Sequence, residues 1–322
     1  MSRRTDLYEK VLQAALCMTR QCWEQGMLSY ALIGSGHDAV MEMMAYDMVL
    51  RQSADGRLCN VEDTPAVTDS AFCIPAVYAV GKEHGIEAYL EAVKKNTDYL
   101  LYHADRTADG VLFHMRGTTQ IWADSAAFLP YALVLAGYPQ EGFMQLKGLL
   151  RYLYIPQSGL YAHIRDGASE AFPDGNAWSI GVMWILSGML RTLYILPPGM
   201  REEREELKSS FVSLLDNCLR YQTAGGGFCD VMDDSGTYEE TESAAMGACC
   251  IYSAIRNGII PADYKGPADR MAVYVLSKIL PDGRVTDAAS SPSFDRPGTS
   301  VECQAHVLMM LSLMTDDMFE IR

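Results

Sequence analysis

The sequence predicts an all-α fold, an (α/α)6 toroid of six helical hairpins joined by short Gly-centred turns. Three observations predict it. Amphipathic helical patterns alternate with helical patterns that are apolar all round, the turns between them resemble one another, and those turns recur at a steady interval. They read ADGRLCNV (54–61), ADGVLFHM (108–115), QSGLYAHI (157–164), AGGGFCDV (224–231) and PDGRVTDA (281–288). From Gly56 through Gly110, Gly159 and Gly226 to Gly283 the intervals are 54, 49, 67 and 57 residues. Six hairpins of about 54 residues fill the chain, in line with a repeat architecture.

Each element follows from its own pattern. The chain opens with a helical pair over 7–20 and 26–33, followed by a helix over 38–51. Helices with one wet face precede the later turns, as at 88–102 and 201–221. In the first of these, Tyr89, Leu90, Val93, Tyr99 and Leu100 sit beside Glu91, Lys94 and Lys95. Asp-Gly or Gly-Gly followed by alternating apolar and polar residues then predicts a tight turn and a short extended piece. The helices after the turns (70–80, 125–136, 177–190, 243–255 and 301–314) are rich in small residues, and a helix apolar all round is buried. An open solenoid of helix pairs has a similar period but gives no reason for one helix of every pair to be so apolar. A single closed barrel over 1–322 is therefore expected.

Composition narrows the function. Of 322 residues, 49% are apolar and 21% charged, which excludes an intrinsically disordered chain. Twenty-six Lys and Arg against 41 Asp and Glu leave a charge of −15, which argues against nucleic acid or an anionic membrane as partner. No apolar run approaches the roughly 20 residues that cross a bilayer. Asp6 and Glu9 stand where an export signal would be apolar, so a cytoplasmic location is expected. The nine cysteines (17, 22, 59, 73, 218, 229, 249, 250 and 303) form no Cys-x-x-Cys pair and read as reduced, buried thiols. Cys249 and Cys250 point about 100° apart on a helix. Histidines 37, 84, 103, 114, 163 and 306 lack zinc spacing, so no metal site is expected.

If the inner helices run the same way, their N-termini gather at one mouth. The residues there are Trp23-Glu24-Gln25-Gly26, Thr68-Asp69, Trp122-Ala123-Asp124, Gly175-Asn176-Ala177-Trp178, Glu240-Thr241 and Thr299-Ser300-Val301-Glu302. Asp69, Asp124 and Asn176 follow the turn period at 55 and 52 residues. Such residues are ordinary N-caps, and Thr237-x-x-Glu240 and Thr299-x-x-Glu302 have capping-box spacing. Glu240 and Glu302 are read as caps. Three of the four tryptophans fall at these mouths, however. Aromatic rings beside carboxylates suit a sugar, which has an apolar face and polar edges, and two carboxylates in one pocket provide acid–base chemistry.

At these residues the sequence resembles the unsaturated uronyl hydrolases of glycoside hydrolase families 88 and 105, over nearly the whole chain in order. WEQG (23–26) is similar to the first inner-helix signature, and 68–93 to the stretch carrying the first aspartate, Asp69. QIWADS (120–125) resembles the Trp-x-Asp motif of the general acid/base, Asp124, and GLYAHIRD (159–166) the segment of the substrate-contacting histidine, His163. GNAW (175–178), EETESAAM (239–246) and FDRPGTSVE (294–302) follow in family order. Phe172-Pro173-Asp174 departs from the family's usual arginine-containing stretch, and Ile164-Arg165 from the tryptophan after the histidine.

The resemblance implies catalysis by Asp124 and Asp69, with Trp23, Gln25, Trp122, His163, Asn176, Trp178, Arg296, Thr299 and Ser300 binding substrate. The implied substrate is a small lyase-generated oligosaccharide ending in a Δ4,5-unsaturated uronic acid. The reaction is hydration of its C4=C5 bond, with Asp124 protonated at the start and its pKa raised by Asp69. No metal or organic cofactor is needed. Unsaturated galacturonyl-rhamnose is favoured, with unsaturated glucuronyl disaccharides, a histidine-dependent toroid epimerase and an inactive sugar-binding scaffold as alternatives. Arg296 and the Gly298-Thr299-Ser300 turn are candidates for holding a carboxylate at a helix N-terminus, against a loop-bracing role for Arg296.

Overall fold

Twelve α-helices form among the described residues of the computed structural model, which are 3–60, 63–169, 171–290 and 293–315. Val61, the last residue of the first turn segment, lies outside them. The first hairpin is α1 (Arg3–Met18) and α2 (Cys22–Leu32), and the second is α3 (Asp38–Leu50) and α4 (Ile74–His84). Then come α5 (Glu87–Tyr102) with α6 (Ser125–Leu135), and α7 (Pro139–Leu153) with α8 (Ser179–Ile195). The last two are α9 (Arg201–Leu219) with α10 (Thr241–Arg256), and α11 (Lys265–Ser277) with α12 (Val301–Leu313).

The even-numbered helices make the inner wall, each packing on the next. The ring closes where α12 meets α2 and α1 meets α12, which is the expected (α/α)6 toroid. Burial separates wall from coat: α8 buries 15 of its 17 residues and α9 only 5 of its 19. Small residues let the inner helices approach. A Cβ added at Gly188 of α8 would strike the Ala126 carbonyl of α6, and one at Gly26 would lie 2.6 Å from the Phe72 backbone.

The repeated turn docks each hairpin on its neighbour. Gly283 has φ +89°, and a Cβ there would run into the Lys10 carbonyl of α1. Gln304 pins this turn, its Nε2 donating to the Gly283 (2.9 Å) and Val11 (3.0 Å) carbonyls and its Oε1 accepting from Val285 N–H (2.6 Å). Gln52 does the same between Gly56 and Ala92 of α5, and Gln222 between Gly226 and Pro267 of α11.

Short antiparallel ribbons rim the mouth: β1 (Gln120–Trp122) with β4 (Ile164–Asp166), β2 (Tyr154–Ile155) with β3 (Leu160–Tyr161), β5 (Phe228–Cys229) with β6 (Glu239–Glu240), and β7 (Ala288–Ser290) with β8 (Ser293–Gly298). The β1–β4 pair joins successive hairpins, with Trp122 opposite Ile164.

The first pair starts earlier than expected, at Arg3 and Cys22 in place of 7 and 26, and α10 at Thr241 in place of 243, while two other starts are delayed. Residues 69–73 open as a 3-10 turn, because Pro75 has no N–H for the Ala71 carbonyl and Ile74 N–H takes it at the shorter spacing. The helix expected from 177 starts at Ser179, because Trp178 is extended and bridges Val231. Every cysteine is a free thiol, and all but the exposed Cys17 are buried. Among the described residues no helix is long and apolar enough to cross a membrane.

Candidate active site

A cavity of about 230 Å³ opens where the inner helices begin, and all four tryptophans (Trp23, Trp122, Trp178 and Trp184) line it. So do Asp69, Asp124, His114, Glu242 and Glu302. The fourth ring, Trp184, projects from α8 among residues that sequence patterning marks only as core.

The two aspartates do not cap their helices. Asp124 is the residue before α6, yet its side chain makes no cap hydrogen bond, and its Oδ2 has no hydrogen-bond partner although buried. Asp69 begins the 3-10 turn before α4 and is 8% exposed. Neighbouring helix starts are capped by other groups. Glu240 accepts from the N–H groups of Glu242 (2.9 Å) and Ser243 (2.6 Å), and Ser300 accepts from Cys303 N–H (2.9 Å).

Two histidines flank the pair. His114 Nδ1 lies 2.7 Å from Thr68 Oγ1, its Nε2 lies 3.5 Å from Asp69 Oδ1, and its ring stacks on Trp122 at 4.5 Å and 13°. His163 stands behind Asp124 and does not line the cavity. Its Nε2 is 3.4 Å from Asp124 Oδ2, and its Nδ1 is 2.8 Å from Asp174 Oδ2. Both histidines fall four residues after the glycine of their turns, Gly110 and Gly159. Asp230 stands four residues after Gly226 and accepts the Trp178 Nε1–H at 3.2 Å. That shared offset is the signal that could have identified His114 from sequence.

The protonation order is the reverse of the expected one. Burial pushes the Asp69 carboxyl up to about 6, with the Asp124 and Glu302 charges adding to it and His114 opposing it. Burial also pushes Asp124 upward, but the adjacent His163, with His114 beyond, outweighs it and holds the carboxyl below its ordinary value. Asp124 is thus anionic at rest, and Asp69 is the member of the pair that holds a proton more readily. An imidazole brought from the next hairpin decides this, and no local motif reports it.

The floor is acidic. Trp23 Nε1–H donates to Glu302 Oε1 at 2.6 Å, and Ser300 Oγ–H donates to Glu242 Oε2 at 3.0 Å. Burial pushes the carboxyls of Glu240, Glu242 and Glu302 up, with the Glu242 charge adding to it at Glu240 and Glu302 and the Asp124 charge at Glu242. Glu240 is a cap as expected, whereas Glu302 turns into the cavity. Neither capping box forms: Thr237 Oγ1–H donates to the Asp234 carbonyl, and Ser300 rather than Thr299 caps α12.

The other expected substrate contacts divide. Trp23, Trp122 and Trp178 line the cavity, but Gln25 does not. Gln25 is buried between hairpins, its Nε2 donating to Asp47 Oδ2 (2.9 Å) and its Oε1 accepting from Cys59 Sγ (2.9 Å). Asn176 is exposed, and its carbonyl accepts the His163 N–H at 3.0 Å. Arg296 is exposed on β8 and donates to Ser293 Oγ, while Thr299 lines a separate shallow groove with Ser290 and Arg20. Ser300 acts behind the wall by holding Glu242. Family order located these residues on the chain, but the rotation of α2 at Gln25, and the loop and strand backbone at Asn176, Arg296 and Thr299, turned their side chains elsewhere. Among the described residues no group of His, Cys, Asp and Glu could hold a metal ion.

The model of Glycosyl Hydrolase Family 88 matches residues 8–315. The chain belongs to that family. As a family 88 glycosyl hydrolase, it is similar to the unsaturated rhamnogalacturonyl hydrolase YesR of Bacillus subtilis (strain 168), with 23% identity over 218 residues. That stretch covers 64% of this chain and 61% of YesR, less than two thirds of the relative's length. The family 88 toroid also superposes on a C. acetobutylicum ATCC 824 glycoside hydrolase from family 105, with TM-score 0.81, 16% identity and coverage of 97% and 99%. The unsaturated glucuronyl hydrolase of Bacillus sp. GL1 gives TM-score 0.66, 14% identity and coverage of 90% and 85%. At these identities the structural likenesses speak to the fold.

Proposed function

We propose that this chain, acting as one catalytic barrel, releases the terminal Δ4,5-unsaturated uronic acid from lyase-generated oligosaccharides by hydrating the C4=C5 bond. One observation carries the reading: a buried carboxylate, Asp69, and a half-buried one, Asp124, both excused from helix capping, share a cavity walled by four tryptophans. The rings offer faces to a sugar, and the carboxylates offer a proton donor and a charge to stabilise the cation that follows protonation.

In this mechanism Asp124 delivers a proton to C4, and positive character develops at C5 and the ring oxygen beside the Asp69 carboxylate. Water adds at C5 and returns a proton to Asp124. The hemiketal then opens and frees the remaining sugar. Because Asp124 is anionic at rest, a proton must reach it when substrate arrives.

For the leaving sugar we favour a neutral one, as in unsaturated galacturonyl-rhamnose. The rim beside Trp178 carries Asp174 and Asp230, with Asp295 acting on Asp230 through its charge, so a sulfated or anionic sugar there would be repelled. YesR, by its name, acts on unsaturated rhamnogalacturonyl compounds. The nine unpaired cysteines support a reducing, cytoplasmic compartment.

The test is a panel of unsaturated galacturonyl-rhamnose and sulfated and unsulfated unsaturated glucuronyl disaccharides, followed by the ultraviolet band of the double bond. The rhamnose substrate is expected to give the highest kcat/KM. Asp124→Asn is expected to lower its kcat by about 10³-fold with the fold intact. An unchanged band with every substrate would sink the hydration mechanism.

A further inference from the structure

We propose that Asp174 is a positioning residue that makes His163 the proton reservoir of Asp124. This rests on the reading of Asp124 as the group that carries the proton.

The backbone builds the arrangement. Ile164 N–H donates to the Asp174 carbonyl at 2.8 Å, and His163 N–H to the Asn176 carbonyl at 3.0 Å, so the loop before α8 is laced along β4. The two oxygens of Asp174 are then committed. Oδ1 accepts from Asn176 N–H at 3.1 Å, and Oδ2 accepts from His163 Nδ1–H at 2.8 Å. A carboxylate on Nδ1 fixes which ring nitrogen carries the permanent proton and leaves Nε2 facing Asp124 Oδ2, 3.4 Å away. Trp178, at 4.6 Å between ring centroids, and Trp122, at 5.5 Å, restrict rotation of the imidazole.

The charged surroundings of His163 are few. Asp124 faces it from the start of α6 and Asp174 from the loop before α8. Asp69 and His114 lie beyond Asp124, and Asp230 lies beyond Trp178. Arg165, next on β4, donates to the Tyr152 carbonyl. Burial pulls the imidazole down, but the two carboxylates more than offset it and push His163 up to about 9.

At rest the site is therefore an imidazolium between two carboxylates. Substrate expels water, and a drier site favours the neutral Asp124–His163 pair over the ion pair. The Nε2 proton passes to Asp124 Oδ2, leaving His163 neutral with Nδ1–H still on Asp174. Asp124 then gives that proton to C4 as the C4=C5 electron pair forms the C4–H bond. The oxygen of water bonds to C5, and the second proton of that water returns through Asp124 to Nε2. One water is consumed and both side chains end as they began.

The experiment compares wild type with Asp174→Asn, which keeps an acceptor for Nδ1–H but removes the charge, and with Asp174→Ala, which removes both. Position 174 is half-buried in a rim loop, and a circular dichroism melt confirms folding of each variant. The ring-nitrogen NMR titration of His163, recorded without substrate, is expected near pH 9 in wild type and at least one pH unit lower in Asp174→Asn. The alkaline limb of kcat/KM should move down by the same amount, and Asp174→Ala should lower kcat further. A merely structural Asp174 would lower the rate at every pH without moving the limb or the titration, and that result overturns the proposal. A wild type inactive on every unsaturated disaccharide would instead bring down the functional reading, with the titration still reporting on the His163–Asp174 pair.

Discussion

Replacing Asp69 by Asn should stabilise the protein while disabling the site, and the size of the gain follows from the burial of its carboxyl. The folded-state pKa of Asp69 is raised from 3.8 to about 6. Below the unfolded value the group is protonated in both states and costs nothing. As pH rises through that interval the unfolded chain releases its proton first, so the folded state loses ground, and the loss is complete once pH passes about 6. Two pKa units correspond to about 3 kcal/mol. The attraction of His114, 3.5 Å away, is already contained in that shift. Asn keeps the shape of the side chain and cannot ionise. With roughly 2 cal/mol/K of unfolding entropy per residue, a chain of this length gains about 4 °C in Tm for that energy. Thermal unfolding of both proteins at pH 4, 5, 6 and 7.5 is the assay. The difference should be small at pH 4 and nearly full by pH 7.5. A difference that is the same at every pH, or a less stable variant at pH 7.5, would refute the assignment of a strained, buried charge.

Two further outcomes concern packing and the floor of the cavity. Gly283→Ala forces a left-handed backbone on a residue with a Cβ and drives that Cβ into the Lys10 carbonyl, so a loss of roughly 2–4 kcal/mol in urea unfolding is expected. A neutral result would mean that the last turn does not seal the ring. Glu302→Gln should match wild type below about pH 4.5 and gain on it steadily as pH rises to about 8, because the unfolded chain releases this proton first. The raised Glu302 carboxyl stabilises the fold only while protonated, and that contribution is lost as pH climbs through its folded value. Tm at pH 4, 6 and 9 checks this, with no difference at pH 4, a partial gain at pH 6 and the full gain at pH 9.

The turns were legible because each is a local event. Asp-Gly and Gly-Gly tolerate φ > 0, whereas the glutamines that pin the turns reach carbonyls of other hairpins, 40 or more residues away, and were not read from the sequence. The inner wall was legible because a helix surrounded by other helices must be apolar on every side. Asp69, Asp124 and three of the tryptophans could be assigned to one mouth because parallel inner helices bring their starts together. The same logic overreached at Gln25, Asn176, Arg296 and Thr299. Knowing that a residue stands near a helix start does not say which way its side chain turns. Glu242 was missed for the opposite reason, because it looks like ordinary helix sequence until its neighbours are present, and His114 because only its offset from the turn glycine, shared with His163, marks it.

By itself, then, the sequence determined the hairpin count, the closed ring and the carboxylates available to the cavity, all of which depend on periodicity and on turn chemistry a few residues long. Only the tertiary structure decided which carboxylate holds a proton. Asp69 answers to His114, 45 residues away, and Asp124 to His163, 39 residues away, and the balance of burial and charge at each carboxyl exists only once successive hairpins are packed side by side.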